Sequence, residues 1–301
     1  GETFAVEIED KGKGIADVAL AMEPLGYEKR GYLNEDFRLF HLADSALSPL
    51  SYHYHSFHKL VVLLAGRVDY SVEGRHYALE AGDLVLVGRG SIHRPEPLPD
   101  VFYERMILYI SPEALRRCST EECDLSACFS QAQQQSHYVY HIAAQDPILP
   151  LLRQLEAAQR EVCAGAFGAR IVSRSIFLQL MVALCRMCAA GTAAEAASSD
   201  RKIVAVLQYL NLHLAQPLSI EELAARFYCS KFHLMRRFKE ETGYTIHSYV
   251  TEKRLLLARQ YLQQGLRVAE AAEQSGYQDY STFSRAYRKQ FESAPSQDRK
   301  K

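Results

Sequence analysis

Apolar positions along the chain change their period once, near residue 147. From residue 37 to about residue 110 they come in short runs, at 59–64, 69–72, 76–79 and 84–87, separated by Gly66, Gly74, Gly82, Gly88 and Gly90. Short runs between turn-forming residues predict the strands of an antiparallel sandwich or barrel. After Pro147 the spacing lengthens. Ile148, Leu151, Leu152, Leu155, Ala158 and Val162 follow the i, i+3, i+4, i+7 rule, and a second such run fills residues 169–189. Two amphipathic helices need cover for their apolar stripes; a second copy of the chain is one source of it, and packing back on their own domain is the other. Residues 191–199 carry no large apolar side chain and read as a linker, with Asp200 placed to cap the next helix.

Helical spacing then continues to the end. Ser219-Ile-Glu-Glu222 is a capping box, in which hydroxyl and carboxylate satisfy backbone N–H groups at a helix start. That helix runs to about Phe227. Ser230 caps another, from Lys231 to Thr242, which Gly243 ends as a left-handed C-cap. Two short helices joined by so tight a turn form a helix-turn-helix, whose second helix can enter a major groove. The pattern recurs. Ile220, Leu223 and Ala224 are echoed by Val268, Ala271 and Ala272 at an offset of 48, and Leu234, Arg236, Phe238 and Lys239 by Phe283, Arg285, Tyr287 and Arg288 at an offset of 49. Asp279 echoes the cap Ser230, and Gly276 is available for the longer second turn. The helix between the units, residues 247–264, spans about 27 Å. One monomer is thereby able to address two successive segments of major groove.

The same periodicity sorts the two second helices. Leu234 and Phe238 belong to a core, which leaves Lys231, Phe232, Met235, Arg236 and Lys239 outward. Phe283, Ala286 and Tyr287 are core in the second, which leaves Tyr280, Ser281, Ser284, Arg285 and Arg288 outward. Arginine bonds two acceptors on guanine, apolar and aromatic groups touch thymine methyls, and lysine neutralises phosphate. Charge agrees with that assignment. The whole chain nets −1, yet residues 201–301 hold 17 Lys and Arg against 10 Asp and Glu, while residues 1–200 hold 18 against 26. A basic end suited to a polyanion is joined to an acidic body with another task.

Composition excludes a disordered or collagen-like chain, since 48% of residues are apolar and 24% charged. The apolar stretch 171–190 is interrupted by Arg174, Gln179 and Arg186, which a membrane span rarely carries, and no basic start followed by an apolar run opens the chain. With seven scattered cysteines, an odd number, these features predict a cytoplasmic protein with free thiols and no membrane partner. Cys123-x4-Cys128 and His137-x3-His141 imitate a zinc-finger spacing, but the loop is short and residues 137–141 alternate like a strand.

The residues of the basic third are familiar as a set. Ser230-Lys-Phe-His-Leu-Met-Arg-Arg-Phe-Lys-Glu-Glu-Thr-Gly243, Arg254 with Ala258 in the connecting helix, Gly276-Tyr277, and residues 283–291 with Pro295 and Arg299 closely resemble the DNA-binding domain of AraC/XylS-type bacterial transcription regulators. The resemblance covers about residues 203–299. Glu292 stands where that family usually has glycine, and Asp298 where it usually has an aromatic residue. The resemblance implies that Phe232, Met235 and Arg236, with Tyr280, Ser281, Ser284 and Arg285, occupy base-contacting places. It also implies an N-terminal cupin barrel for sugars or related small metabolites.

The first half is similar to a cupin in two motifs, His53-Tyr-His55-x3-Lys59-x6-Gly66 and Gly82-x5-Gly88-x-Gly90-x2-His93. In an extended strand His53, His55 and Lys59 point to one face, as a barrel interior requires. The matching metal-binding cupins have glutamate at the place of Lys59. Three imidazoles and a carboxylate suit a divalent metal, whereas an ammonium at the same point repels one and suits an anionic or hydroxyl-rich organic ligand. His53, His55 and His93 alone remain able to hold zinc or nickel.

These readings give an α+β multidomain chain. Residues 1–145 form a cupin-like antiparallel β-barrel effector domain, 146–190 helices that mediate dimerisation, 191–200 a linker, and 201–301 an all-α double helix-turn-helix domain. The expected function is ligand-responsive, sequence-specific regulation at double-stranded promoter DNA, controlling uptake or metabolism of a sugar or related metabolite. A homodimer is expected, with RNA polymerase as a further partner if the outcome is activation. The effector is expected at Arg38, His53, His55, Lys59, Tyr70 and His93, of which Arg38 and Tyr70 rest only on strand position. No catalytic residue, no cofactor and no resident metal are expected. The alternative is a metal-dependent cupin enzyme with an accessory DNA-binding domain, against which Lys59 and the lack of a carboxylate partner count.

Overall fold

The computed structural model describes residues 33, 35–44, 50–98, 101–143, 145–191, 194, 196 and 198–299. The first 32 residues of the expected effector domain, and positions 192, 193, 195 and 197 of the expected linker, lie outside the described residues. The glycine-punctuated runs fold as strands β1 (Phe37–Asp44), β2 (His58–Ala65), β3 (Val68–Val72), β4 (Arg75–Leu79), β5 (Asp83–Val87), β6 (His93–Pro97) and β7 (Tyr103–Ile110). Two short strands follow, β8 (Val139–His141) and β9 (Ser198–Ser199). The alternating residues near His137 are therefore strand, and β9, inside the expected linker, pairs with β4.

Every strand pairing is antiparallel, in two sheets of order β1-β7-β2-β5-β8 and β6-β3-β4-β9. The antiparallel sensor fold is present, but its ladder does not close into one barrel among the described residues. The chain changes sheet after β2 and after β4, at Gly66 and Gly82, whose φ angles are 91° and 94°. At Gly66 a Cβ would sit 1.9 Å from the Phe102 carbonyl oxygen, so only glycine makes that corner. The two sheets share one apolar core, including Leu60, Val62, Val72, Leu84, Leu86 and Leu108.

Helices α1 (Pro112–Cys118) and α2 (Ala127–Gln135) follow β7, and α3 (Ile148–Cys163) and α4 (Ala169–Ala190) follow β8. Leu152 and Leu155 of α3, with Phe177, Leu180, Met181 and Leu184 of α4, join the core of the sheets. Much of the apolar stripe thus packs on its own domain, while Phe167, Ile171 and Val172 stay exposed. By length and composition α4 is apolar enough to cross a membrane, but its Phe177, Leu180, Met181 and Leu184 are core. The seven cysteines are free.

The C-terminal region is built from α5 (Arg201–Leu212), α6 (Ile220–Arg226), α7 (Lys231–Thr242), α8 (Ile246–Gln263), α9 (Val268–Gln274) and α10 (Tyr280–Phe291). Asp200, Ser219, Ser230 and Asp279 each accept a backbone N–H at a helix start, and Gly243, at φ 74°, ends α7. Two separate apolar cores result. Leu223, Leu234 and Phe238 pack with Tyr249 and Val250 from the first half of α8, whereas Ala271, Phe283 and Tyr287 pack with Leu255, Ala258 and Leu262 from its second half. The two family departures are accommodated: Glu292 takes the left-handed cap at φ 56°, and Asp298 accepts from the Tyr287 hydroxyl at 2.6 Å while pairing with Arg259 at 3.1 Å.

Candidate effector site and nucleic-acid interface

His53 and His93 exchange backbone hydrogen bonds of 3.1 and 2.9 Å, a bridge that brings their rings to 4.3 Å between centroids. His55 stands 5.1 Å from His53 and 5.0 Å from His93. All three are buried, and one nitrogen from each lies within 4.8 Å of the others. Nδ1–H of His53 donates to the Ser51 carbonyl at 2.8 Å, and Nδ1–H of His93 donates to the Ser91 carbonyl at 3.0 Å. Each ring is thereby fixed in orientation, with Nε2 as its acceptor.

Lys59 Nζ donates to His93 Nε2 at 3.5 Å. Burial, aided by the Arg105 guanidinium, pushes the Lys59 amine down to about 7. Burial and the neighbouring His53, Lys59 and His55 hold His93 well below the usual imidazole range. Tyr70 lies nearly parallel to His93, with 6.2 Å between ring centroids, and its hydroxyl is buried without a hydrogen-bond partner among the described residues. The structure thus gathers His53, His55, Lys59, Tyr70 and His93. Arg38 falls elsewhere: on edge strand β1 its exposed side chain pairs with Glu35 at 3.4 Å and lies over the Phe40 ring.

Sequence reasoning missed Arg105. It is buried on β7, paired with Asp44 at 2.7 Å and stacked over the Tyr103 ring at 4.2 Å. The β2–β7 register sets Lys59 opposite Tyr109 and Leu63 opposite Arg105, so these side chains share one face of the sheet. The alternation Tyr103-x-Arg105-x-Ile107-x-Tyr109 carried that signal. His53, His55 and His93 each offer a nitrogen that a divalent metal could take, but Lys59 engages the His93 lone pair such a metal would need.

On the helical side, Phe232 is 80% exposed, Tyr280 54% and Met235 38%, although each is large and apolar. Such groups standing in water on helices rich in charge mark a surface made for contact. Lys231, Arg236, Lys239, Ser281, Arg285 and Arg288 are exposed beside them, and Ser284 is half-buried. Leu234, Phe238, Phe283 and Tyr287 are buried on the opposite faces.

A family profile described as an AraC-like ligand binding domain matches residues 41–166, and one described as a helix-turn-helix domain matches residues 223–301. The HTH-type transcriptional activator RhaS of Klebsiella pneumoniae (strain 342) is 28% identical over 245 residues, 81% of this chain and 85% of that protein. The chain belongs to the AraC family of transcriptional regulators. The RhaS of Citrobacter koseri is 27% identical over 250 residues, with the same two shares. Among solved structures, the C-terminal domain of AraT, a response regulator from Geobacillus stearothermophilus, is 29% identical and covers 33% of this chain and 84% of that chain, with a TM-score of 0.32. This AraC-family chain is a ligand-responsive, DNA-binding regulator of transcription and not an enzyme.

Proposed function

We propose that this AraC-family regulator senses an anionic or hydroxyl-rich small metabolite, such as a sugar or sugar acid, at His53, His55, Lys59, Tyr70 and His93, with Arg105 as an added cation and no resident metal. The observation that carries this reading is the buried Lys59 amine held against His93 with a guanidinium nearby. Arg105 is already paired with Asp44, but the buried Lys59 amine has no carboxylate partner among the described residues and favours an anion, and the Tyr70 hydroxyl offers a partner to a polar ligand. The rest of the reading keeps the division at residues 145, 190 and 200, with a cytoplasmic homodimer supported by exposed Ile171 and Val172 on α4. Contact with RNA polymerase follows if the outcome is activation.

A thermal-shift screen of sugars and sugar acids tests the site, because a ligand that binds only the native state raises the melting temperature by mass action. Lys59→Met is expected to abolish the shift, and Zn2+ alone to give none. For an anionic effector the sign of the pH effect follows from Lys59. The free site carries its charge below about 7, so affinity is full below that pH and falls as pH rises through it. Stabilisation by Zn2+ alone, with no response to any sugar or acid, would overturn the reading.

At the other end, Lys231, Phe232, Met235, Arg236 and Lys239, with Tyr280, Ser281, Ser284, Arg285 and Arg288, are proposed to meet promoter DNA. Arg236→Ala and Arg285→Ala are each expected to cost about 1 to 3 kcal/mol of specific binding and to relax preference at one base pair. Quantitative binding to a duplex enriched from a random library reads this out. Unchanged affinity and preference in both variants would remove the base-contact assignment.

A further inference from the structure

Residues 52–55 lead into the sensor beside β6, and their side chains alternate between two sides. His53 and His55 turn inward to the effector cluster. Tyr52 and Tyr54 turn the other way and pack against the core of the first helix-turn-helix unit. Tyr52 covers Gly243, the cap of α7, so closely that a Cβ there would lie 2.7 Å from its ring. The Tyr244 hydroxyl donates to the Tyr52 carbonyl at 3.5 Å. Tyr54 reaches the other unit: its hydroxyl accepts from the side-chain amide of Gln290, in the last turn of α10. The paired strand repeats the arrangement, with His93 inward, Ile92 in the first unit's core, and the Arg94 guanidinium 4.3 Å over the Tyr52 ring.

One segment therefore lines the effector cluster with alternate side chains while its remaining two touch the C-terminal ends of both recognition helices. We propose that residues 52–55 are a positioning element that sets the spacing of the two helix-turn-helix units according to what the histidine cluster holds. The proposal rests on the reading of that cluster as the effector site and of the outward arginines as base-reading. An extended segment has no internal ladder to absorb a pull on its histidines, so movement of His53 and His55 passes to the tyrosines between them. Because the two units have separate cores, one is able to shift against the other without breaking either. Binding at two half-sites depends on that spacing, and binding at one does not. Effector then changes affinity only through the spacing it favours, as linkage requires.

The test uses the full chain and a duplex it enriches from a random library, in a two-half-site form and in a form with only the first half-site intact. Tyr54→Phe and Tyr52→Leu alter the outer side, and His55→Ala alters the effector side; His53→Asn replaces the last if that variant does not fold. At least a fivefold loss is expected on the two-half-site duplex, with affinity for the single half-site within twofold of the parent. Equal losses on both duplexes would reveal a merely structural role and overturn the proposal, as would unchanged affinity for the two-half-site duplex. Failure to enrich any duplex would remove the DNA reading itself, and this proposal with it.

Discussion

Replacing Glu73 by alanine is expected to destabilise the chain by about 3 to 5 kcal/mol, because it leaves the Lys253 ammonium buried without its partner. Glu73 belongs to the two-residue turn between β3 and β4, where it and Gly74 both have positive φ, 46° and 74°, as the favoured hairpin turn requires. Its side chain is 3% exposed and that of Lys253 8%. One carboxylate oxygen accepts from Lys253 Nζ and from the Ile92 N–H, both at 2.9 Å, and the other from the Tyr249 hydroxyl at 2.8 Å. Lys253 and Tyr249 belong to α8, so the cluster fastens the sensor to the helix that joins the two DNA-reading units. Urea unfolding of the full chain measures the loss. The double variant Glu73→Gln with Lys253→Met is expected to recover most of it, since a buried ion pair replaced as a whole by neutral groups costs little. A loss below about 1 kcal/mol in Glu73→Ala would mean that the pair is solvated and the sensor is not seated on α8.

Glu73 also shows why part of the molecule was illegible in the sequence. An acid beside the glycine of a hairpin turn reads as solvated, and its burial depends on a lysine 180 residues later in the chain. The same holds for Tyr52 and Tyr54. Their alternation with His53 and His55 was visible, but nothing local says that the outward face meets α7 and α10. Arg105 was legible in principle from the alternation of β7, whereas its pairing with Asp44 needs the β1–β7 register. The departure from a closed barrel likewise depends on where Gly66 and Gly82 turn the chain from one sheet to the other.

What the sequence carried well was local chemistry. Ser219, Ser230, Asp200 and Asp279 each bond a backbone N–H within three residues, so their role needs no distant partner. The histidine cluster was legible because glycine-punctuated strands leave few registers, and His53 and His55 share a parity. Arg38 shows the limit of parity as evidence: in the β1–β7 register it stands opposite Tyr109, yet an edge strand leaves it in water beside Glu35.

The second large effect follows from the division of the helical region into two cores. Phe283 is fully buried and contacts the rings of Tyr277, Tyr280 and Tyr287, with centroids 5.2, 6.3 and 5.4 Å away. Phe283→Ala is expected to cost about 3 to 5 kcal/mol, the lost transfer energy of the ring together with the cavity it leaves. Because that core takes only the second half of α8, the damage is expected to stay local. Amide hydrogen exchange should rise across residues 268–291, while residues 220–244, packed on Leu223, Leu234 and Phe238, keep their protection. A two-half-site duplex should then bind no better than a single half-site. Loss of protection spread evenly over both units would show instead that α8 makes them one cooperative body, and a regulator built that way would have no internal spacing for its effector to adjust.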